Sequence, residues 1–456
     1  MMSDDVKALA DVGARVVEAA LKAGADVAEV LAQDSAELSA KVRMGAPELI
    51  EEAGSHAVGL RVIKDGKSAI TYTSDPTDEG LAALVADALE LAALSEPDPM
   101  ALPPDPSELA TAFPELDLYD PAGGGVDAAQ ATAWALEAEQ AARDHDARIT
   151  NSEGATYGRT RSAVALVTSG GFSAGYRGSY QSLHVGPIAD DADGKKRNGF
   201  YWDARRHLGA MATPASVGQE AARRTVAKLG ARKVPTTQVP VVFDPDAGRA
   251  LLSLFFSCAS GGAIYKRASY LIGKEGEPVA SDLVTFVDDP LIARAPGSRP
   301  FDGEGLPSRR NVVVEQGILR TFLLDTYSAR KLGKESTGSA TRGVGGRPSV
   351  APTNFHLLPG TSSPAEVVAG VKQGLYVTSM MGFGFNAVTG DFSRGAEGFW
   401  IEDGKLAFPV SEVTISLNFN ELWRAVDAVA TDLDPKTRYA SPTFRVARMT
   451  VAGTSA

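Results

Sequence analysis

Apolar residues recur at three- and four-residue spacing across Asp4–Lys22, at Val6, Leu9, Val16, Val17, Ala20 and Leu21. This spacing predicts a helix, with Ser3, Asp4 and Asp5 at its start and Gly24 at its stop. Shorter apolar runs predict strands at 27–33, 37–43, 58–63 and 68–73, the last two joined by a hairpin at Asp65-Gly66. Asp75 and Pro76 predict the cap and first residue of a helix running to about residue 94, apolar at Leu81, Leu84, Val85, Ala88 and Leu91. Residues 96–106 are proline-rich and read as a stiff connector. After a break at Asp120-Pro121, a helix is predicted at 127–143. A β-rich stretch follows from 148 to 207, with strands at 164–168, 171–180 and 183–188 and a charged loop at 190–198. A helix at 215–229 ends at Gly230, and the prolines and threonines of 231–240 mark a domain boundary.

The second half opens with a strand at 241–243. Asp244-Pro245 then caps a very apolar helix at about 247–257, with Leu251, Leu252, Leu254, Phe255 and Phe256. This helix runs into the small-residue turn from Cys258 to Tyr265. Gly261 reads there as a C-terminal cap, and the turn could instead present backbone N–H groups to a ligand. Strands are predicted at 284–287, 312–315, 318–324, 354–358, 413–417 and 444–451, with hairpins at Gln316-Gly317 and Asp403-Gly404. Helices are predicted at 326–332, at 364–373 behind Ser363, and at 420–430 with Leu422, Trp423 and Val426 inward. The segment 338–348, rich in glycine and arginine, reads as a mobile loop; it lacks the Gly-Lys-Ser/Thr ending of a phosphate loop. The fold class implied is α+β. An N-terminal α/β domain with a mixed sheet (1–235) precedes a mostly antiparallel, β-rich C-terminal domain (236–456), a sandwich or open barrel.

Composition narrows the function. A net charge of -12 argues against nucleic acid or an acidic membrane as the main partner. One cysteine, Cys258, excludes an internal disulfide framework and fits a reducing compartment. The acidic N-terminus is unlike a secretory signal, and no apolar run reaches the ~18 residues of a membrane span. A soluble, cytoplasmic protein is expected. His56, His145, His184 and His207 have no metal-ligand spacing. Cys258, preceded by Leu254-Phe255-Phe256-Ser257, has no histidine near it in sequence and reads as a small buried thiol. Asp288-Asp289 reads as a strand exit, and Asp302 and Glu304 as an acidic turn.

One stretch carries a resemblance. Thr389-Gly390-Asp391-Phe392-Ser393-Arg394-Gly395-Ala396-Glu397-Gly398-Phe399-Trp400 resembles the signature of the TldD/PmbA family, on its PmbA (TldE-like) side. In the same order, the segments from Ser260 to Ser269, Pro300 to Gly305 and Leu324 to Gly333 also resemble that family. In the family, two related subunits form a peptidase that degrades unfolded peptides and matures some modified ones. The TldD-type subunit carries His-Glu-x-x-x-His on a helix. Zinc is held by the two histidines and a cysteine near the C-terminus, and the glutamate takes the proton of the metal-bound water.

This chain departs from that pattern. Its corresponding helix reads Leu252-Ser253-Leu254-Phe255-Phe256-Ser257, without histidine or glutamate, and residues 439–456 contain no cysteine. The resemblance therefore implies the non-metal subunit of a heterodimer. No catalytic residue, metal ligand or cofactor is expected in this chain, and zinc is expected in a TldD-like partner. The substrate implied is an unfolded peptide, with Ser260, Gly261, Gly262, Tyr265 and Arg394 as candidate substrate-binding residues. A non-catalytic homodimer that binds peptides or a protein is the alternative. An independent hydrolase using Cys258 or a serine is the third reading.

Overall fold

The computed structural model describes residues 2–192 and 194–454. The first half begins with helix α1 (Asp4–Lys22), as its apolar stripe predicts, and the chain turns at Gly24 with φ +98°. Strands β1 (Val27–Arg43), β2 (Ala46–Lys64) and β3 (Lys67–Thr73) follow. β1 is one long strand where two were predicted. The polar residues Asp34 and Ser35 do not break it, because β2 and a later strand pair with it on both sides at that point. Helix α2 (Asp78–Leu94) is capped by Thr77, whose hydroxyl accepts from the Gly80 N–H at 3.1 Å. Asp75, the predicted cap, instead accepts from the Thr77 N–H at 3.0 Å, so the helix starts two residues later than its proline suggests.

A short turn of helix, α3 (Pro121–Gly124), leads to α4 (Ala128–Arg143), capped by Asp127. Then come β4 (Ile149–Thr168), β5 (Ser173–Asp190), β6 (Lys196–Asn198), β7 (Tyr201–Arg205) and α5 (Pro214–Val226). The strand order is β3-β2-β1-β4-β5-β6, with β7 also on β5. The sheet expected to be mixed is antiparallel at every pairing. The physical reason is in the turns: Met44-Gly45 and Asp65-Gly66 close tight hairpins, which only antiparallel neighbours can share. Helices cover one face. α1 and α2 bury Val30, Ala32, Leu60 and Val62, while α4 and α5 bury Leu38, Ala40, Tyr157 and Leu183.

The second half starts with β8 (Thr237–Phe243), helix α6 (Pro245–Ala259) and the short α7 (Gly261–Tyr265). β9 (Phe286–Asp288), β10 (Asn311–Glu315), β11 (Ile318–Leu319), α8 (Thr326–Leu332), β12 (Ala340–Thr341), β13 (Ser349–Val350), β14 (Phe355–Leu357) and α9 (Pro364–Ala369) follow. The chain finishes with β15 (Gln373–Met381), β16 (Ser393–Glu402), β17 (Lys405–Ser416), α10 (Phe419–Leu422), β18 (Val426–Val429), β19 (Tyr439–Ala440) and β20 (Phe444–Ala452). The predicted strand at 318–324 forms a ladder over its first two residues, and beyond them Leu323 makes a single parallel bridge to Ser260.

β17-β16-β15-β8-β20 form a barrel. It is closed rather than open, because Thr414, Ile415 and Ser416 at the end of β17 pair with Ala452, Val451 and Thr450 of β20. Register shifts in β16 and β17 supply the bend that closure needs. β8 and β15 run parallel, so the mixed sheet of this protein lies in its second half. The predicted helix at 420–430 ends at Leu422. Val426 and Val429 find the free edge of β20 and extend it as β18, with Trp423 wholly buried at the bend. Helix α6 packs between the barrel and the small sheet β11-β10-β9-β14-β19, where Leu251, Leu252, Phe255 and Cys258 are all fully buried. Among the described residues, no helix is long and apolar enough to cross a membrane.

Candidate functional site

Helix α6 is held at its start by Asp244, whose carboxylate accepts from the Ala247 N–H at 2.7 Å. Burial, and then Asp246, pushes the Asp244 carboxyl up to about 7. At its other end the chain does not stop on a glycine cap. Ser260 ends α6 in an extended conformation and caps α7, accepting from the Ala263 N–H at 3.4 Å. Gly261, read from sequence as the cap, has a different role. Its N–H donates to the Leu323 carbonyl at 2.7 Å, and a Cβ there would lie 2.3 Å from the Ser328 Oγ. Gly261 thus packs directly against Ser328 of α8. Gly262 faces open space, with nothing within 4 Å of its would-be Cβ.

Ser260, Gly262 and Tyr265 line one cavity of about 840 Å³ at the seam between the two halves. Arg394 is elsewhere, on β16 opposite Ile415 and outside that lining. Its Nε is buried without a hydrogen-bond partner, and burial lowers its pKa. The opposite wall of the cavity is the proline-rich connector. Tyr327 on α8 donates to Asp98 at 2.9 Å, and Arg330 donates to the Pro103 carbonyl at 2.7 Å and to the Leu102 carbonyl, so the connector is fixed to α8. The Tyr265 and Tyr327 rings meet edge to face, 5.8 Å apart, on the cavity side of these two helices.

The segment 338–348, expected to be mobile, is tied into this seam. Arg342 reaches the buried Glu29 at 3.4 Å, and Arg61 pairs with the same carboxylate. Burial alone would raise Glu29, but Arg342 and Arg61 hold it below the usual carboxylate range. Backbone packing adds to this: a Cβ on Gly59 would lie 1.7 Å from the Val344 carbonyl oxygen, so β2 and this segment touch directly. Arg347 and Pro348 thereby become part of the cavity lining.

Sequence reasoning missed Glu304. Read from sequence only as part of an acidic turn, it is 4% exposed and lines the cavity. One of its oxygens accepts from the Thr326 N–H at 2.9 Å and the Thr326 hydroxyl at 2.7 Å. Burial first, and the neighbouring Asp302 second, push Glu304 up to about 8. Asp302 is structural: it accepts from the N–H groups of Glu304, Leu306 and Ala340 at 2.9, 2.9 and 3.1 Å. The sequence offers no signal for this burial, which arises because the turn is clamped between α8 and β12. A second cavity, about 450 Å³, lies between α5 and the barrel. Two of its cations are already committed, Arg224 to Asp246 at 3.2 Å and Lys228 to Glu397 at 3.2 Å.

The residues of α6 do not fit a zinc ion. Ser253, Leu254, Ser257 and Cys258 offer no imidazole and no carboxylate. Burial pushes the Cys258 thiol up to about 11, and its sulfur meets the Ser257 hydroxyl and the Ala387 carbonyl, both at 3.9 Å, with the Ser269 side chain also beside it. This is an inert thiol with no base beside it, which removes the ground for a cysteine nucleophile. Among the described residues, no group of three or more His, Cys, Asp or Glu side chains could share a metal ion.

Comparisons with known proteins agree along the whole chain. Family models described as PmbA/TldA metallopeptidase domain 1, central domain and C-terminal domain match residues 28–92, 122–229 and 236–453. The Metalloprotease PmbA of Escherichia coli O157:H7 is 33% identical over 94% of this chain and 92% of its own. A crystal structure of a Bacteroides thetaiotaomicron protein, described in connection with modulation of DNA gyrase, superposes with a TM-score of 0.91. It is 26% identical and covers 100% of both chains. TldE from Thermococcus kodakarensis shares the fold, with a TM-score of 0.86 at 22% identity over 97% of this chain and 100% of that one. The chain belongs to the PmbA/TldA metallopeptidase family, the TldD/PmbA family that its sequence motifs resemble.

Proposed function

We propose that this chain is the non-metal subunit of a heteromeric metallopeptidase acting on unfolded or modified peptides. One observation carries the reading: the chain is a member of a metallopeptidase family, and its own helix α6 holds no histidine and no carboxylate from Ala247 to Ala259. Peptide hydrolysis by a metal-bound water needs ligands and a base close together, and the described residues of this chain bring no such set together. Zinc is then carried by a TldD-like partner, and the protein works in the cytoplasm, consistent with its lone buried cysteine. The seam cavity, with Ser260, Gly262 and Tyr265 in its wall, contributes to holding the extended peptide.

The test is native mass spectrometry, with metal counting, of the complex purified from the protein's own organism. The result expected is a heteromer with one zinc per partner subunit, lost when the partner is removed. Zinc retained by this chain alone, or peptidase activity from this chain alone, overturns the proposal. A metal-free homodimer without a partner also overturns it, in favour of a peptide-binding protein.

A further inference from the structure

Two buried carboxyls at the seam each leave one oxygen unused. Glu304 and Asp325 are 4% and 5% exposed, and both line the cavity that holds Ser260, Gly262 and Tyr265. Glu304 Oε2 takes both of that residue's donors, the Thr326 N–H and hydroxyl. Asp325 Oδ1 takes the Ser328 N–H at 2.8 Å and the Ser328 hydroxyl. Among the described residues nothing bonds to Glu304 Oε1 or to Asp325 Oδ2, and neither atom is sealed inside protein. A polar atom this deep ordinarily has a partner, because leaving it unpaired away from bulk water costs free energy. The two residues are neighbours, since Thr326, which anchors Glu304, directly follows Asp325. Glu304 also borders a cavity of about 230 Å³ behind the connector prolines, and the larger cavity is the space that it shares with Asp325.

Hydrogen bonding decides where the proton of the Asp302–Glu304 pair sits. Asp302 spends both oxygens as acceptors of three backbone N–H groups. Glu304 spends only Oε2, and an oxygen that accepts two donors is the carbonyl oxygen of a neutral carboxyl. The proton therefore sits on Oε1, and burial, then Asp302, keep it there up to about pH 8. Glu304 thus offers an O–H donor, with an acceptor oxygen of Asp325 beside it. The other charged groups around them are Lys331 on α8, Lys266 after α7, Arg347, and Asp98 on the connector. Behind the turn, Arg61 and Arg342 are committed to Glu29. Three cations in the cavity wall disfavour a free ammonium as the ligand of these acids.

We propose that Glu304 and Asp325 hold the main chain of an extended peptide, with Glu304 Oε1–H donating to a peptide C=O and Asp325 Oδ2 accepting from a peptide N–H. A residue in an extended chain turns its N–H and its C=O to the same side, which is what lets paired strands exchange both bonds. A donor beside an acceptor on one wall complements that arrangement whatever the side chain is. The ligand class is therefore unfolded polypeptide rather than a particular sequence, and folded chains are excluded because their main-chain groups are already paired. The proposal deepens the peptide-holding part of the accessory-subunit reading and rests on it. Both residues act by binding and positioning the peptide.

The probe is a short peptide of alanine, serine and glycine, blocked at both ends and carrying a dye insensitive to pH. Its binding to the full chain is read by fluorescence anisotropy from pH 6 to 9.5. Loss of the Glu304 proton removes the donor and sets a charge against the peptide C=O. Affinity is therefore expected to be level below about pH 7 and to fall roughly tenfold by pH 9.5. Glu304→Gln supplies an N–H donor that does not titrate, and its affinity is expected to stay constant over the same range. Asp325→Asn puts a donor in place of the free acceptor and is expected to bind about tenfold more weakly at pH 7. Each substitution keeps an oxygen for Thr326 or Ser328, so both variants retain their anchoring bonds. Affinity that rises through pH 8 indicates a cationic group held by ionised carboxyls and overturns the proposal. An equal fall in the Glu304→Gln chain, undiminished binding by the Asp325→Asn chain, or no binding of the probe by the unaltered chain also overturns it. None of these results alters the zinc count, which decides the accessory-subunit reading.

Discussion

Glu304 turns a structural position into a measurable dependence on pH. Its carboxyl ordinarily titrates near 4.5 and is raised to about 8 in the folded chain, by burial and then by Asp302. Below 4.5 both the folded and the unfolded chain carry the proton, and the protonated group contributes its full stability. Between 4.5 and about 8 the unfolded chain ionises while the folded chain does not, so the unfolded state binds fewer protons and stability falls as pH rises. A carboxyl that is protonated only in the folded chain gives a slope of about 1.4 kcal/mol per pH unit. Glu304→Gln keeps an oxygen to accept from the Thr326 N–H and hydroxyl and removes the titration. The assay is urea unfolding of both proteins at intervals from pH 5 to 8. Asp244 and Asp288, raised to about 7 and about 6, titrate in both proteins and cancel in the difference; Asp302, also raised and in electrostatic contact with Glu304, does not, so the difference reads the Asp302–Glu304 pair. The variant is expected to gain on the unaltered chain by about 1.4 kcal/mol for each unit that pH rises. Parallel stability curves, or a variant that loses ground as pH rises, refute the reasoning.

Three further outcomes follow from the same seam and core. Glu29→Ala leaves Arg61 and Arg342 buried without their carboxylate and is expected to cost about 3–5 kcal/mol in denaturant unfolding. A loss under about 1 kcal/mol would show that the two arginines find water or other partners. Gly261→Ala forces a methyl against Ser328 and Leu324 and is expected to cost about 1–3 kcal/mol. Gly262→Ala, in open space one residue on, is expected to change the melting temperature little, and equal effects would contradict the packing argument. Cys258, 0% exposed with its thiol pushed up to about 11, is expected to react with a thiol reagent at pH 8 only after denaturant is added.

Local signals served well where one element decides its own structure. α1 follows from its apolar stripe, α6 from Asp244-Pro245, and the hairpins at Asp65-Gly66, Gln316-Gly317 and Asp403-Gly404 from residues that accept a positive φ. They failed where a distant partner decides. Residues 426–429 have helical spacing around Leu422 and Trp423, yet the open edge of β20 takes them as a strand. Of the candidate site residues, Ser260, Gly262 and Tyr265 line one cavity, Gly261 turned out to be a packing contact, and Arg394 lies on the barrel away from them. Their nearness in sequence marked the first group, and nothing in sequence could place Arg394 relative to it.

The family, the α+β class and the want of histidine and glutamate on α6 are legible in the chain's residues, because they depend on residue identity and short-range spacing. The closure of the barrel, the antiparallel pairing throughout the first sheet and the burial of Glu304 at a cavity wall emerge in the folded chain alone. Each of these depends on which segments meet across hundreds of residues of chain, and burial and a raised carboxyl exist only once the neighbours are in place.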